Sequence, residues 1–294
     1  MNRARSRSWI VRLLVGGIGA LAAYATCVAR GAATPTRMVG TPGVDVRGAT
    51  ISARFSPPAG FVRRAAGPAS FASFLRALPL RPDGAPVRLH DGSLKGRQDV
   101  HAAVVALDVG PRDLQQCADS ILRLRAEHLF DSGRAEEIAY HFTSGFACSF
   151  ARWSRGERPR VEGDDVRWVG GARADASRAS LARYLDVVFT YAGTRSLPLD
   201  LARADEADAI EPGDVYLRPG SPGHAMIVVD VAACGARRSM LLAQGYMPAQ
   251  EIHVVRNLGD ESAGPWFEVG RGEKLVTPEW TCSWSDRWRF PDPR

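Results

Sequence analysis

Apolar, β-branched runs separated by turn residues fill the second half of this chain, and they commit it to strands that fold back on one another. Residues 214–217 and 224–231 flank the turn Gly220-Ser221-Pro222-Gly223, and residues 239–244 and 252–255 add two more strands. Upstream, residues 101–109 have the length and branching of a buried strand, and residues 87–90 form a short one turning at Asp91-Gly92. Amphipathic helices accompany them. One carries Leu114, Cys117, Ile121, Leu124 and His128 at helical spacing and stops at Asp131-Ser132-Gly133. A second covers residues 180–192, with Leu181, Tyr184, Leu185, Val188 and Phe189 on one face, and a shorter one is expected at 70–80. Residues 136–168 look like an insertion of helix and hairpin. Trp266, Phe267, Trp280 and Trp284 are expected to close over the sheet. The predicted fold class is α+β: one domain over residues 60–294, its central antiparallel sheet packed against the Cys117 helix. A Pro- and Gly-rich linker is expected at 34–59.

The N-terminus points to export. Arg3, Arg5 and Arg7 precede an almost wholly apolar run from 10 to 29, the pattern of a signal peptide or membrane anchor within residues 1–33. Ala23 and Ala25 offer a cleavage site, and Cys27 a lipoprotein alternative. The expected location is therefore the periplasm or cell envelope, with membrane contact only through this segment. The net charge of +6 is inflated by the leader, and no basic run interleaved with aromatics follows it, so nucleic acid is not an expected partner. Lys95 and Lys274 are the only lysines, a bias that fits the codon usage of a GC-rich genome. Cys117, Cys148, Cys234 and Cys282 lack the spacings of a zinc site, and no metal or cofactor is expected.

Two residues stand out as candidates for chemistry. A helix N-terminus favours a thiolate over a thiol, and Cys117 lies in the first or second turn of its helix. His224 follows a Gly-rich turn and opens a strand, where its imidazole can accept the thiol proton and return it to a leaving group. Asp230 lies too far along the same strand to orient the ring, so Gln244, at the end of the next strand, is the expected orienter. Gln116 and backbone N–H groups near the helix start would stabilise an oxyanion. Ser221, Tyr246 and Gln250 are expected to bind substrate, and Met247, Pro248 and His253 also follow the Gln244 strand. No G-x-S-x-G elbow or metalloprotease helix is present. Two other readings stay open. Cys117 is a core or disulfide-bonded residue, and Gly220 to His224, Tyr246 and Gln250 line the groove of a non-catalytic binding module.

Several blocks carry a resemblance: Gln116-Cys117-Ala118-Asp119, Phe142-Thr143-Ser144-Gly145-Phe146, Pro222-Gly223-His224-Ala225, Leu242-Ala243-Gln244-Gly245-Tyr246-Met247-Pro248-Ala249-Gln250 and Thr277-Pro278-Glu279-Trp280. Over roughly residues 60–290 the chain resembles an uncharacterised bacterial family, domain of unknown function 4846, which brings no activity with it. More loosely, Gly213-Asp214-Val215 followed by Pro222-Gly223-His224-Ala225 and an apolar strand is similar to the histidine segment of NlpC/P60-like, papain-fold hydrolases. That resemblance implies a cysteine hydrolase with Cys117 as nucleophile, His224 as base and Gln244 as the third polar group. Its substrate would be a cell-envelope peptide, peptidoglycan or a small amide or ester. The segment around Cys117 departs from the Asp-Cys-Ser-Gly pattern of those enzymes.

Overall fold

The computed structural model describes residues 43–205 and 209–291; the expected leader lies outside them. Among the described residues no helix is long and apolar enough to cross a membrane. The body begins before residue 60. Helix α1 (Ile51–Arg54) sits inside the stretch expected as linker, capped by the Thr50 hydroxyl, and Ile51 and Phe55 are fully buried. Pro and Gly content had marked this stretch as open chain, but two apolar anchors draw it onto the core.

Strand β1 (Val62–Arg63) and helix α2 (Phe71–Arg76) follow, then β2 (His101–Val104) and α3 (Cys117–Asp131). The α2 helix and β2 are shorter than their apolar patterns suggested, and residues 87–90 make only isolated bridges, through Arg88 and Leu89. The 136–168 insertion is two hairpins around a short helix: β3 (Ala139–His141), β4 (Ala147–Ser149), α4 (Phe150–Ser154), β5 (Arg158–Glu162) and β6 (Asp165–Val169). After α5 (Arg178–Tyr191) come β7 (Ala202–Arg203), β8 (Val215–Arg218), β9 (His224–Cys234), β10 (Arg237–Gln244) and β11 (His253–Val255). The chain ends with β12 (Phe267–Glu268), β13 (Leu275–Val276), β14 (Thr281–Cys282) and β15 (Arg287–Arg289).

Nine of these strands form one sheet in the order β2-β11-β10-β9-β8-β15-β7, with β1 added to β9 and β12 to β10. Every pairing in it is antiparallel. The fold is thus mixed α and β around a largely antiparallel sheet, and α3 lies against β9 and β10. Strand alternation divides the interior in two. Ala225, Ile227, Val229, Leu241 and Ala243 join the helices in one core, whereas Met226, Val228, Met240 and Leu242 meet Tyr216, Phe267, Leu275 and Cys282 in the other. Trp280 and Trp284 pack against this second core, while Trp266 belongs to the first.

The sheet's central strand carries a buried charge. Asp230 on β9 is wholly inaccessible and accepts from Arg63 Nε and Arg76 Nε, each at 2.6 Å. These contacts tie β1 and α2 to the middle of the sheet. Removing one member of such a group leaves an uncompensated buried charge. Asp230→Ala is therefore expected to destabilise the fold by about 3 kcal/mol, measured as a lowered midpoint in urea unfolding; a loss under ~1 kcal/mol would show that the arginines find other partners.

Candidate functional site

Cys117 is the first residue of α3, and the turn before it is tightly held. The Gln116 N–H donates to Asp119 Oδ2 at 3.0 Å, and the Ser120 hydroxyl donates to the Gln116 carbonyl at 2.7 Å. Backbone N–H groups of Ala225, Ala118 and Cys117 face the sulfur and favour its anion, but burial outweighs them and pushes the thiol pKa up from its ordinary value. The side chain is buried, as is Asp119. Burial raises the Asp119 carboxyl to about 7, and its Oδ1 takes no hydrogen bond. Cys117, Cys148 and Cys282 are unbridged thiols, so the disulfide reading of Cys117 does not hold.

His224 opens β9 directly after Gly223. A Cβ at Gly223 would lie 2.4 Å from the Gly220 carbonyl oxygen and 2.5 Å from Thr194 Oγ1, so only glycine permits the turn that delivers the histidine. The imidazole is 3% exposed and packs between the Tyr246 and Trp280 rings, each centroid 5.1 Å away. Burial lowers its pKa, against the hydrogen bond to Gln244 that raises it. His224 Nε2 and Gln244 Oε1 are 2.8 Å apart.

Cys117 and His224 line the same cleft, a cavity of about 570 Å³ between the start of α3, the end of α5 and the β8–β9 turn. Gln116, Ser221 and Tyr246 line it too. The two central groups reach it from different sides of the sheet. His224 and Gln244 share the strand phase of Met226 and Leu242, which face the second core, while α3 packs on the opposite face. They meet where the sheet ends, and no hydrogen bond joins the sulfur to the imidazole. The Gln116 amide turns back to Asp113 Oδ1 at 3.3 Å.

Gln250 is a correction. It was expected to line the groove, but it is fully buried, and neither side-chain polar atom has a partner. Its position beside the Leu89 bridge draws it inward, away from the cleft. His253 is likewise inaccessible, neither a groove nor a surface residue. Sequence reasoning gave no role to Lys95 and Glu279. Glu279 Oε2 accepts from Gln244 Nε2 at 3.0 Å, and its Oε1 is 2.7 Å from Lys95 Nζ, which also lies 4.8 Å from the Tyr246 ring centre. The one available signal was a lysine kept in an arginine-rich chain.

The Asp119 carboxyl links the site to stability. Burial lifts its pKa to about 7 from the ordinary 3.8, so the folded state holds the proton more tightly. The corresponding stability is full below about pH 4 and is lost as pH rises through 7. Asp119→Asn keeps an oxygen for the Gln116 N–H and removes the titration. Its stability relative to wild type is expected to improve from pH 5 to about pH 7 and to level off above that in urea titrations; a pH-independent difference would place the titration elsewhere.

No curated protein and no solved structure matches the chain. A family described as Domain of unknown function (4846) matches residues 51–289, a span that takes in α1, the whole cleft and every strand of the sheet. The chain belongs to that family.

Proposed function

We propose that the protein is an exported thiol hydrolase acting on an amide or ester, such as a cell-envelope peptide or acyl group. The observation that carries this reading is that Cys117, the first residue of α3, lines the cleft that also holds a Gln244-bound His224. The order of helix cysteine, strand histidine and strand amide is that of papain-type hydrolases. In the reaction, the thiol proton passes to His224 as the sulfur adds to the substrate carbonyl. The imidazolium then returns that proton to the leaving amine or alcohol. Water, deprotonated by the same ring, cleaves the resulting thioester and frees the sulfur. The N–H groups at the start of α3 stabilise the oxyanion.

The resting site holds a neutral thiol beside a neutral imidazole, since burial raises the pKa of one and lowers that of the other. Catalytic hydrogen bonds often tighten only when substrate arrives, so an unjoined resting pair is compatible with catalysis. The same observation favours a second reading, a non-catalytic binding cleft in which Cys117 is a wall residue.

Alkylation by iodoacetamide, followed by peptide mapping of Cys117, separates the two. A positioned general base contributes about 100-fold or more, so wild type is expected to react at Cys117 faster than His224→Ala by roughly that factor at pH 7.5. Equal slow rates would leave only the binding cleft. The pH profile follows from the same shifts. His224 stays unprotonated to below its ordinary 6.5, so the acid limb of wild-type labelling is expected below that pH. In His224→Ala the rate should still climb beyond pH 9.0, because the buried thiol ionises above it. A wild-type acid limb above 6.5 would contradict this assignment.

A further inference from the structure

A buried hydrogen-bond chain behind His224 has two ends that can only accept. At one end is the Glu251 carbonyl, 3.0 Å from His253 Nδ1. A carbonyl has no proton to give, so His253 carries its proton on Nδ1 and its Nε2 is a bare acceptor. Gln244 Nε2 lies 3.3 Å from that nitrogen. At the other end is the Glu279 carboxylate, ion-paired with Lys95 at 2.7 Å and 3.0 Å from the same Gln244 Nε2. Both amide protons of Gln244 are thereby engaged, one by each acceptor. Flipping the amide would set its oxygen against the carboxylate. Gln244 Oε1 must therefore face His224, and across 2.8 Å it requires a proton on His224 Nε2.

We propose that Glu279 and His253 are positioning residues that act through Gln244 to lock His224 as its Nε2–H tautomer, leaving Nδ1 as the ring's proton acceptor. The proposal deepens the hydrolase reading and rests on it for the use made of Nδ1. Second-layer groups that fix a tautomer in this way matter because the wrong tautomer cannot accept the nucleophile's proton. The charged and titratable groups around the chain are Lys95, His101, Tyr246, Glu251 and Glu279. Full burial takes the His253 pKa down to about 3, so that ring stays neutral at physiological pH and the chain keeps its direction.

The experiment is a long-range ¹⁵N–¹H correlation spectrum of the full chain labelled at histidine, with peaks assigned by His224→Gln and His253→Gln. His224 should show an Nε2–H pattern and His253 an Nδ1–H pattern. In Glu279→Leu, which removes one acceptor, Gln244 can turn and His224 should become a mixture of tautomers; Glu279→Gln, which keeps an oxygen, should restore the single form. Iodoacetamide labelling of Cys117 should fall in proportion to the lost Nε2–H tautomer, about twofold for an even mixture, and recover in Glu279→Gln. A wild-type His224 protonated at Nδ1 overturns the proposal, whether or not the leucine variant folds, and so does a folded Glu279→Leu with an unchanged His224 spectrum. A locked tautomer with labelling indifferent to His224 would instead sink the hydrolase reading and leave the lock standing.

Discussion

The cleft depends on how closely the end of β10 approaches the first turn of α3. Gly245 makes that approach: a Cβ there would lie 2.2 Å from Ser120 Oγ and 2.8 Å from the Gln116 carbonyl oxygen. No side chain fits without moving the helix start or the strand. On one side of this contact Gln244 is held under His224, and on the other Tyr246 turns over the imidazole. The same contact sets Cys117 at the rim, because the helix turn that begins with the cysteine is the one against which the glycine packs. One missing side chain thus determines the spacing of nucleophile candidate, imidazole and aromatic wall together.

That arrangement makes a site from two faces of one sheet. The helices cover one face, and β13, β14 and the connection between them, bearing Glu279 and Trp280, cover the other around the polar end. His224 belongs by strand phase to the second face and Cys117 to the first, so they can share a solvent space only at the sheet's edge, where the strand begins. This geometry fits a cysteine and a histidine that line one cleft with no hydrogen bond between them. Burial penalises the charged form of each, which raises the thiol pKa and lowers that of the imidazole.

Much of this was legible in the sequence, for a physical reason. The periods of 2 and 3.6 are local, so the α3 helix, the α5 helix and strands β8 to β11 were visible in apolar spacing, and with them the placement of Cys117 and His224 at element starts. Burial is not local. Gln250 reads as a polar loop residue next to Pro248, and only its tertiary neighbours seal it inside. Residues 43–59 read as linker because Pro and Gly dominate their composition, yet Ile51 and Phe55 suffice to anchor them. Glu279 lies 35 residues beyond Gln244, and nothing in its local pattern separates a network carboxylate from a surface one.

The carboxylate of Glu279 serves two donors of different kinds. Elsewhere this chain neutralises buried carboxylates with arginine: Asp230 lies between Arg63 and Arg76, and Asp214 between Arg287 and Arg289. In both, the guanidinium groups reach the two carboxylate oxygens while a backbone N–H also donates to one of them, from Val231 to Asp230 and from Glu211 to Asp214. Arginine can also leave one oxygen to another donor, as Arg81 does at buried Glu251, whose Oε2 accepts from the Arg88 N–H at 2.9 Å. Glu279 differs in both of its partners, an ammonium and the side-chain amide of Gln244. An ammonium is a compact point charge, and Lys95 takes Oε1 at 2.7 Å while Oε2 remains open to the Gln244 amide at 3.0 Å. The two oxygens of Glu279 thus divide their work, one to the ammonium and the other to the amide whose oxygen faces His224.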